Sequence, residues 1–428
     1  MNRLVLLAGV ATVMGCQLAP SAAEAAPGER TMLFRSSQGV CYHIPALIRT
    51  ESGALVAMAE QRFSYNKASA ARFKLGTVDP MPTGQRPKGC ADSGMSNVAM
   101  RRSTDGGKNW SENKVVVDFH RFLDGGYQIA AVQNPTLVAK GDRTILLFNV
   151  FRSKAARNEA SCIVAERNAA KCPSPTEQSI WQIVSNDGGA KWSAPAQVNI
   201  DLDPKQIHRI GPGHGTVLAS GRIVVPTFNF LMMSDDDGRS WKAGATTKGT
   251  RQGGKTLDGG EASVAQLPDG TLWMSSRPSS RSYREVGGKP FRVSAFSGDN
   301  GATYRTVEAD TRFPTPAVHN SLLSWQGVML SAYPYSTRAQ EGDAIVSTDR
   351  ERLTIGYSRD GGKSWGNCLI DGSTSSYSDM AGLDRGNIAL IYETTAKQGE
   401  KRDRGWIDGI TFKRVPLDSL GKSCPTPG

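Results

Sequence analysis

Apolar residues in this chain come in short runs of strand length rather than in long stretches with helical spacing. Val98-Ala99-Met100 and Leu353-Thr354-Ile355 are typical, each leading into a polar turn that contains glycine. Segments with a 3.6-residue period are scarce, and 46 Gly and 22 Pro are spread along all 428 residues, which predicts an all-β chain. The turns themselves repeat. Five segments share the pattern S-x-D-x-G-x-x-W/Y: Ser103 to Trp110, Ser185 to Trp192, Ser234 to Trp241, Ser297 to Tyr304, and Ser358 to Trp365. Their starts lie 82, 49, 63 and 61 residues apart. Recurring similarity on this scale marks solenoids and propellers, and about 400 residues at roughly 65 per unit predicts six units, each able to hold four strands and their loops.

The repeated turn makes local physical sense. Ser and Asp side chains bond backbone groups a few residues on and so hold a tight turn. The glycine supplies a backbone angle that other residues resist, and the closing aromatic can pack against its own blade. Ser234-Asp235-Asp236-Asp237-Gly238 resembles the start of a calcium loop, but the spaced Glu and flanking helices of an EF-hand are missing, so these turns are read as structural. No linker divides the chain, which predicts one six-bladed β-propeller over residues 26–428. Two polar insertions, Ser64 to Gly89 and Ser153 to Glu177, read as long loops carried by blades, where function often sits.

Residues 1–25 read as an export signal. Arg3 gives a positive start, Leu4 to Gly15 is apolar, and Ala23-Glu24-Ala25 offers a small-x-small cleavage site. Gly15-Cys16 also resembles a lipidation point, so a lipid anchor at Cys16 is an alternative. The apolar run is too short for an integral membrane span. Removing this segment takes away Arg3 and Glu24, and the net charge stays at +11. A basic surface favours acidic partners. Nucleic acid is not expected, because no Lys/Arg tract interleaved with aromatics is present. Six cysteines remain (Cys41, Cys90, Cys162, Cys172, Cys368 and Cys424), an even number that fits disulfides in an exported protein, with Cys162 and Cys172 placed to staple one loop. No C-x-x-C pair occurs, and His208, His214 and His319 lie in separate motifs, so neither a metal nor a cofactor is expected.

The repeated turn resembles the Asp-box, and an ordered set of further motifs resembles the exo-sialidase (neuraminidase) family over nearly all of the chain after residue 25. Tyr42-His43-Ile44-Pro45-Ala46-Leu47 is similar to the family's Y/F-R-I-P-A-L segment, and Ala59-Glu60-Gln61-Arg62 to its A-E-x-R strand. Asp92, ten residues before Arg102, falls where the family places an acid/base Asp. Gly211-Pro212-Gly213-His214-Gly215 and Gly221 to Pro226 resemble the G-P-G and G-R-L-V-x-P pieces that follow. Glu261 in Gly260-Glu261-Ala262-Ser263 matches the buried carboxylate, and Arg277 and Arg350 match arginines of a carboxylate clamp. Tyr377 in Ser376-Tyr377-Ser378-Asp379 matches the nucleophile, and Glu393 in Ile391-Tyr392-Glu393 the carboxylate behind the clamp. Singly, each has a plainer reading: a buried strand tyrosine, a solvated loop Asp, a turn-capping Glu, or an arginine snorkelling at the surface. Their order in matching motifs is what points to function.

The resemblance implies a retaining exo-glycosidase acting on sialylated or similarly acidic glycans. A sialic acid bears a carboxylate on its anomeric carbon, which would repel an anionic nucleophile. A neutral tyrosine activated by a base avoids that, and sialidases depart from the two-carboxylate scheme in this way. By the same resemblance Tyr377 and Glu261 form that pair, Asp92 is the acid/base, and Arg62 contacts the sugar ring. One position departs from the family: His43 stands where a clamp arginine belongs. An imidazole lacks the guanidinium fork and is charged only part of the time near pH 7. Three readings follow: His43 held protonated by Glu393 as a weaker clamp, a related nonulosonic or octulosonic acid as substrate, or a propeller that has lost catalysis and binds glycans as a lectin.

Overall fold

The structure, a computed structural model, describes residues 30–37, 40–63, 95–127, 129–154, 177–200, 209–338, 349–401, 407–422 and 424–427. The export segment with Cys16, Asp92, His208, the expected Cys162–Cys172 staple and most of both insertions lie outside the described residues. Strand pairing among the described residues forms six four-stranded antiparallel units. The first comprises Val40–Arg49, Leu55–Phe63, Ser96–Ser103 and Lys114–Val117. The second comprises Ile129–Lys140, Arg143–Ser153, Glu177–Ser185 and Ala196–Gln197. Thr216–Val217, Ile223–Pro226, Phe230–Ser234 and Lys242–Thr246 make the third. The fourth is Gly259–Gln266, Leu272–Pro278, Arg292–Ser297 and Thr306–Asp310. Ser321–Trp325, Val328–Pro334, Glu351–Ser358 and the first half of Gly366–Asp384 form the fifth. The second half of that long strand continues into the sixth, with Asn387–Thr394, Gly409–Pro416 and the N-terminal strand Arg30–Arg35. The C-terminal segment therefore pairs with the N-terminal strand, which belongs to the sixth unit rather than to the first.

Strands are apolar on both faces because each unit is sandwiched between two others. In Leu55–Phe63, Val56 and Met58 enter a core shared with the second unit, while Leu55, Ala57 and Ala59 enter one shared with the sixth. In Phe230–Ser234, Phe230 and Met232 face the second unit and Leu231 and Met233 the fourth. Two further cores join the fourth unit to the fifth and the fifth to the sixth, so face-to-face packing runs round a closed circuit. Burying each such side chain contributes roughly 1.5–3 kcal/mol.

All five repeated turns join the third strand of a unit to its fourth. In each, the Ser hydroxyl donates to the Asp carboxylate and accepts the Gly N–H, as in Ser103–Asp105–Gly107 at 2.8 and 2.9 Å. The Asp carboxylate also accepts the N–H four residues on, that of Asn109 in the first turn. Gly107 has φ +88°, and a side chain there would strike Phe412 of the sixth unit. Gly238 likewise approaches Ile145 of the second unit. The turns are thus spacers pressed against the preceding unit. The closing Trp110 meets Phe412 of the sixth unit at 5.3 Å across the interface while its indole N–H bonds the Gly107 carbonyl of its own turn at 3.0 Å, and Tyr304 contacts Met274 of its own unit. The sixth unit has no such turn because its third and fourth strands come from opposite ends of the chain.

Cys368 and Cys424 are disulfide-bonded, and Cys41 is also in a disulfide. Among the described residues no helix is long and apolar enough to cross a membrane.

Candidate functional site

The matched residues gather at one end of the sheets, where inner strands begin and second strands end. The repeated turns occupy the other end. Several inner strands are broken there by bulges, which re-aim side chains. Register shifts fall between His43 and Ala46, between Gly259 and Ala262, and between Ser375 and Ser378, so His43, Glu261 and Tyr377 each sit at or within an irregularity. Ile44 is held at φ +55°, which turns its N–H inward.

Tyr377 lies where the long strand passes from the fifth unit to the sixth. Its hydroxyl is 2.7 and 2.9 Å from the two carboxylate oxygens of Glu261. Arg277, at the end of the neighbouring strand of the fourth unit, places one guanidinium nitrogen 3.0 Å from Glu261 and 3.4 Å from the Tyr377 hydroxyl. Burial is the largest influence on Arg277 and would lower its pKa, but the charge and hydrogen bond of Glu261 together with the neighbouring Tyr377 raise it above the usual value. Tyr377 is 8% exposed, whereas the Arg277 side chain is 29% exposed, so the pair lies on a floor and the arginine on an open wall. The tyrosine ring packs on Ile44 and Val318, lies parallel to the His319 ring at 6.1 Å, and has the Arg350 guanidinium 5.6 Å from its centroid.

His43 Nδ1 is 3.3 Å from Glu393. Glu393 also accepts the N–H of Ile44 at 2.8 Å and that of Tyr377 at 3.4 Å. Burial pushes its carboxyl pKa up, but His43, the Ile44 N–H and Arg350 together hold it below the usual value. Arg350 is fixed by the Ser376 hydroxyl at 3.1 Å and the Ala317 carbonyl at 2.8 Å. Its Nε is buried and has no hydrogen-bond partner among the described residues. Arg62 lies near the end of the second strand of the first unit. Buried, it is gripped by Glu60 at 2.6 Å, and Glu60 accepts the N–H of Asn134 at the bulge of the second unit.

The fold also assembles groups that spacing does not reveal. Asp379, two residues beyond Tyr377 and fully buried, accepts from His214, Ser321 and the N–H of Leu47. His319 bonds Ser263 at 2.8 Å, and burial is the main reason its pKa falls to about 3. His214 and Asp379 each stand inside a matched motif, but only the folded chain brings them together. No group of three His, Cys, Asp or Glu among the described residues could hold a metal ion.

Fold and site together define an all-β propeller with a buried tyrosine–glutamate pair walled by arginines. The chain belongs to the BNR repeat-like domain family, whose model it matches over residues 88–390. It is 28% identical over 396 residues to a sialidase of Micromonospora viridifaciens, covering 86% of this chain and 52% of that one. It is 26% identical over 399 residues to an exo-alpha-sialidase of Aspergillus fumigatus, covering 90% and 83%. The chain therefore spans about half the length of the first relative and most of the second. Among solved structures, the intramolecular trans-sialidase from Ruminococcus gnavus superposes with a TM-score of 0.62 at 17% identity, covering 95% of this chain and 100% of that one. The shared fold is the sialidase propeller.

Proposed function

We propose that the chain is a retaining exo-glycosidase that releases terminal α-ketosidically linked sialic acid, or a close nonulosonic or octulosonic acid, from glycoconjugates. The observation that carries this reading is the Tyr377 hydroxyl within 2.9 Å of both Glu261 oxygens, with Arg277 beside it. In the first step the Tyr377 oxygen attacks the anomeric carbon and its proton passes to Glu261. The bond to the glycosidic oxygen breaks, and that oxygen takes a proton from Asp92. In the second step Asp92 takes a proton from water, whose oxygen attacks the same carbon. Tyr377 leaves and recovers its proton from Glu261. Two displacements at one carbon retain the α configuration. Arg277 and Arg350 hold the substrate carboxylate, with His43, backed by Glu393, as the third and weaker member of the clamp. Arg62 contacts the sugar ring. The role of Asp92 rests on its motif alone. Residues 1–25 direct export.

The sialidase names of the relatives support this reading. His43 is the one feature that favours the rival, a sialidase-like propeller that binds acidic glycans without cleaving them. A panel of chromogenic α-ketosides of sialic acid, its deaminated analogue and the eight-carbon acid separates the two. Turnover of one member with retained configuration supports the enzyme. Binding of all three without turnover removes it in favour of the lectin.

A further inference from the structure

We propose that Asp379, held by His214, is a positioning residue for Tyr377: one buried carboxylate ties the two chain segments that wall the tyrosine ring to the tyrosine's own strand. This rests on the assignment of Tyr377 as nucleophile for its effect on turnover, but not for its effect on the ring. Asp379 lies in the same strand as Tyr377, two residues on, and is fully buried. One of its oxygens accepts the N–H of Leu47 at 2.7 Å. Leu47 is three residues beyond Ile44, which packs on Tyr377 and gives its N–H to Glu393. The other oxygen accepts the Ser321 hydroxyl at 2.8 Å. Ser321 is two residues beyond His319, whose ring lies within 7° of parallel to that of Tyr377, and three beyond Val318, which also touches it. Ser321 in turn accepts the N–H of Met380, closing the loop back onto the nucleophile strand.

The same oxygen faces His214 Nδ1 at 2.7 Å. His214 enters from the segment Gly213–His214, which pairs in parallel with the inner strand of the second unit. Four units thus converge on one carboxylate. A buried carboxylate is costly unless charged and hydrogen-bonded partners surround it. His214 is the nearest ionisable partner: burial alone would lower its pKa, but the charge and hydrogen bond of Asp379, with the Leu322 carbonyl facing the ring, raise it. The approach is close. A side chain at Gly213, where φ is +92°, would come within 3.2 Å of His319 and 3.3 Å of Asp379. A small displacement of Asp379 therefore passes to both walls of the tyrosine, and misplacing a reacting group by about 1 Å can cost on the order of 100-fold in rate.

The test uses the full chain with three substitutions. In His214→Asn the amide nitrogen stands close to where Nδ1 was and keeps the bond to Asp379. In His214→Gln the amide reaches toward the Leu322 carbonyl and leaves Asp379 without that partner. Asp379→Asn keeps the shape but loses an acceptor. With Tyr377 replaced by 3-fluorotyrosine, the 19F resonance should stay single and unshifted in His214→Asn, and shift or split in His214→Gln and Asp379→Asn. On the best ketoside of the panel, kcat should fall at least about tenfold in His214→Gln and Asp379→Asn with KM within about threefold, and His214→Asn should recover most of it. An unchanged 19F line in His214→Gln overturns the proposal, as does a kcat that follows thermal stability alone across the series. Should Asp379→Asn not fold, the two His214 variants decide. If the parent chain cleaves no ketoside, the functional reading fails and the 19F spectra alone decide the positioning role.

Discussion

Replacing Tyr377 with Phe removes one oxygen and leaves the rest of the site in place. The ring keeps its packing on Ile44, Val318 and His319, so the surrounding strands have no reason to move. Glu261 loses the partner at 2.7 and 2.9 Å but retains Arg277 at 3.0 Å, so its charge stays compensated. One lost hydrogen bond to a buried carboxylate costs about 1–3 kcal/mol of stability, a shift of a few degrees in melting temperature. The rate should suffer more. Without the hydroxyl there is no covalent route and no proton for Glu261 to accept, and a loss of at least about 100-fold corresponds to about 2.7 kcal/mol or more of barrier. KM should change little, because the carboxylate clamp is untouched. The assay is steady-state turnover of a fluorogenic α-ketoside, well below the melting temperature of both proteins. It is paired with mass spectrometry after exposure to a 3-fluoro sialosyl fluoride, which should label Tyr377 in the parent and nothing at that position in the variant. A variant within tenfold of the parent, labelling at another residue, or an inverted product would refute the nucleophile assignment.

His43→Arg should raise kcat/KM on sialosides, because a guanidinium can grip both Glu393 and a substrate carboxylate through paired hydrogen bonds; a gain on sialosides with a loss on another acidic sugar would mark that sugar as the preferred substrate, and no change on any would show that His43 does not hold the carboxylate. Acid should destabilise the fold through exposed carboxylates in the turns and on the short helix Ser280–Val286. Asp235 is held at a pKa of about 2 by Arg222 and Lys242, Asp236 by Ser240, Asp299 by Thr303, and Glu285 by Arg281 and Thr256. Their folded pKa values lie below the unfolded ones, so this stabilisation is complete above about pH 5 and drains away as pH falls toward 2; melting curves that stay flat between pH 5 and 2.5 would contradict it. Cutting the Cys368–Cys424 disulfide with Cys368→Ser should cost about 2–4 kcal/mol, since it closes a separation of 56 residues, and a melting temperature equal to the parent's would show that the bond constrains nothing.

The all-β class and the five turns were legible in the sequence because their causes are local. A Ser, an Asp and a Gly within five residues complete one another's hydrogen bonds, and this holds wherever the segment sits in the fold. Strand-length apolar runs follow from the two-residue period of extended chain. The family motifs marked which side chains to watch, and the structure brings Tyr377, Glu261, Arg277, Arg350, His43 and Glu393 to one end of the sheets. Asp92 lies outside the described residues, and Arg62 is occupied with Glu60.

Only the closed circuit of units decided the contacts that matter for chemistry. Tyr377 and Glu261 are 116 residues apart, and His43 and Glu393 are 350 apart. No spacing rule connects such pairs, because chain direction is lost after a few residues of turn and recovered only when the units pack. The same holds for Trp110 and Phe412, which meet across an interface, and for the N-terminal strand that completes the last unit. His214 and Asp379, separated by 165 residues, were unremarkable polar residues within their own motifs. Burial made them partners: excluded from water, a carboxylate must find its donors inside the protein, and the three that reach Asp379 come from His214, Ser321 and the Leu47 N–H, each on a different segment of the chain.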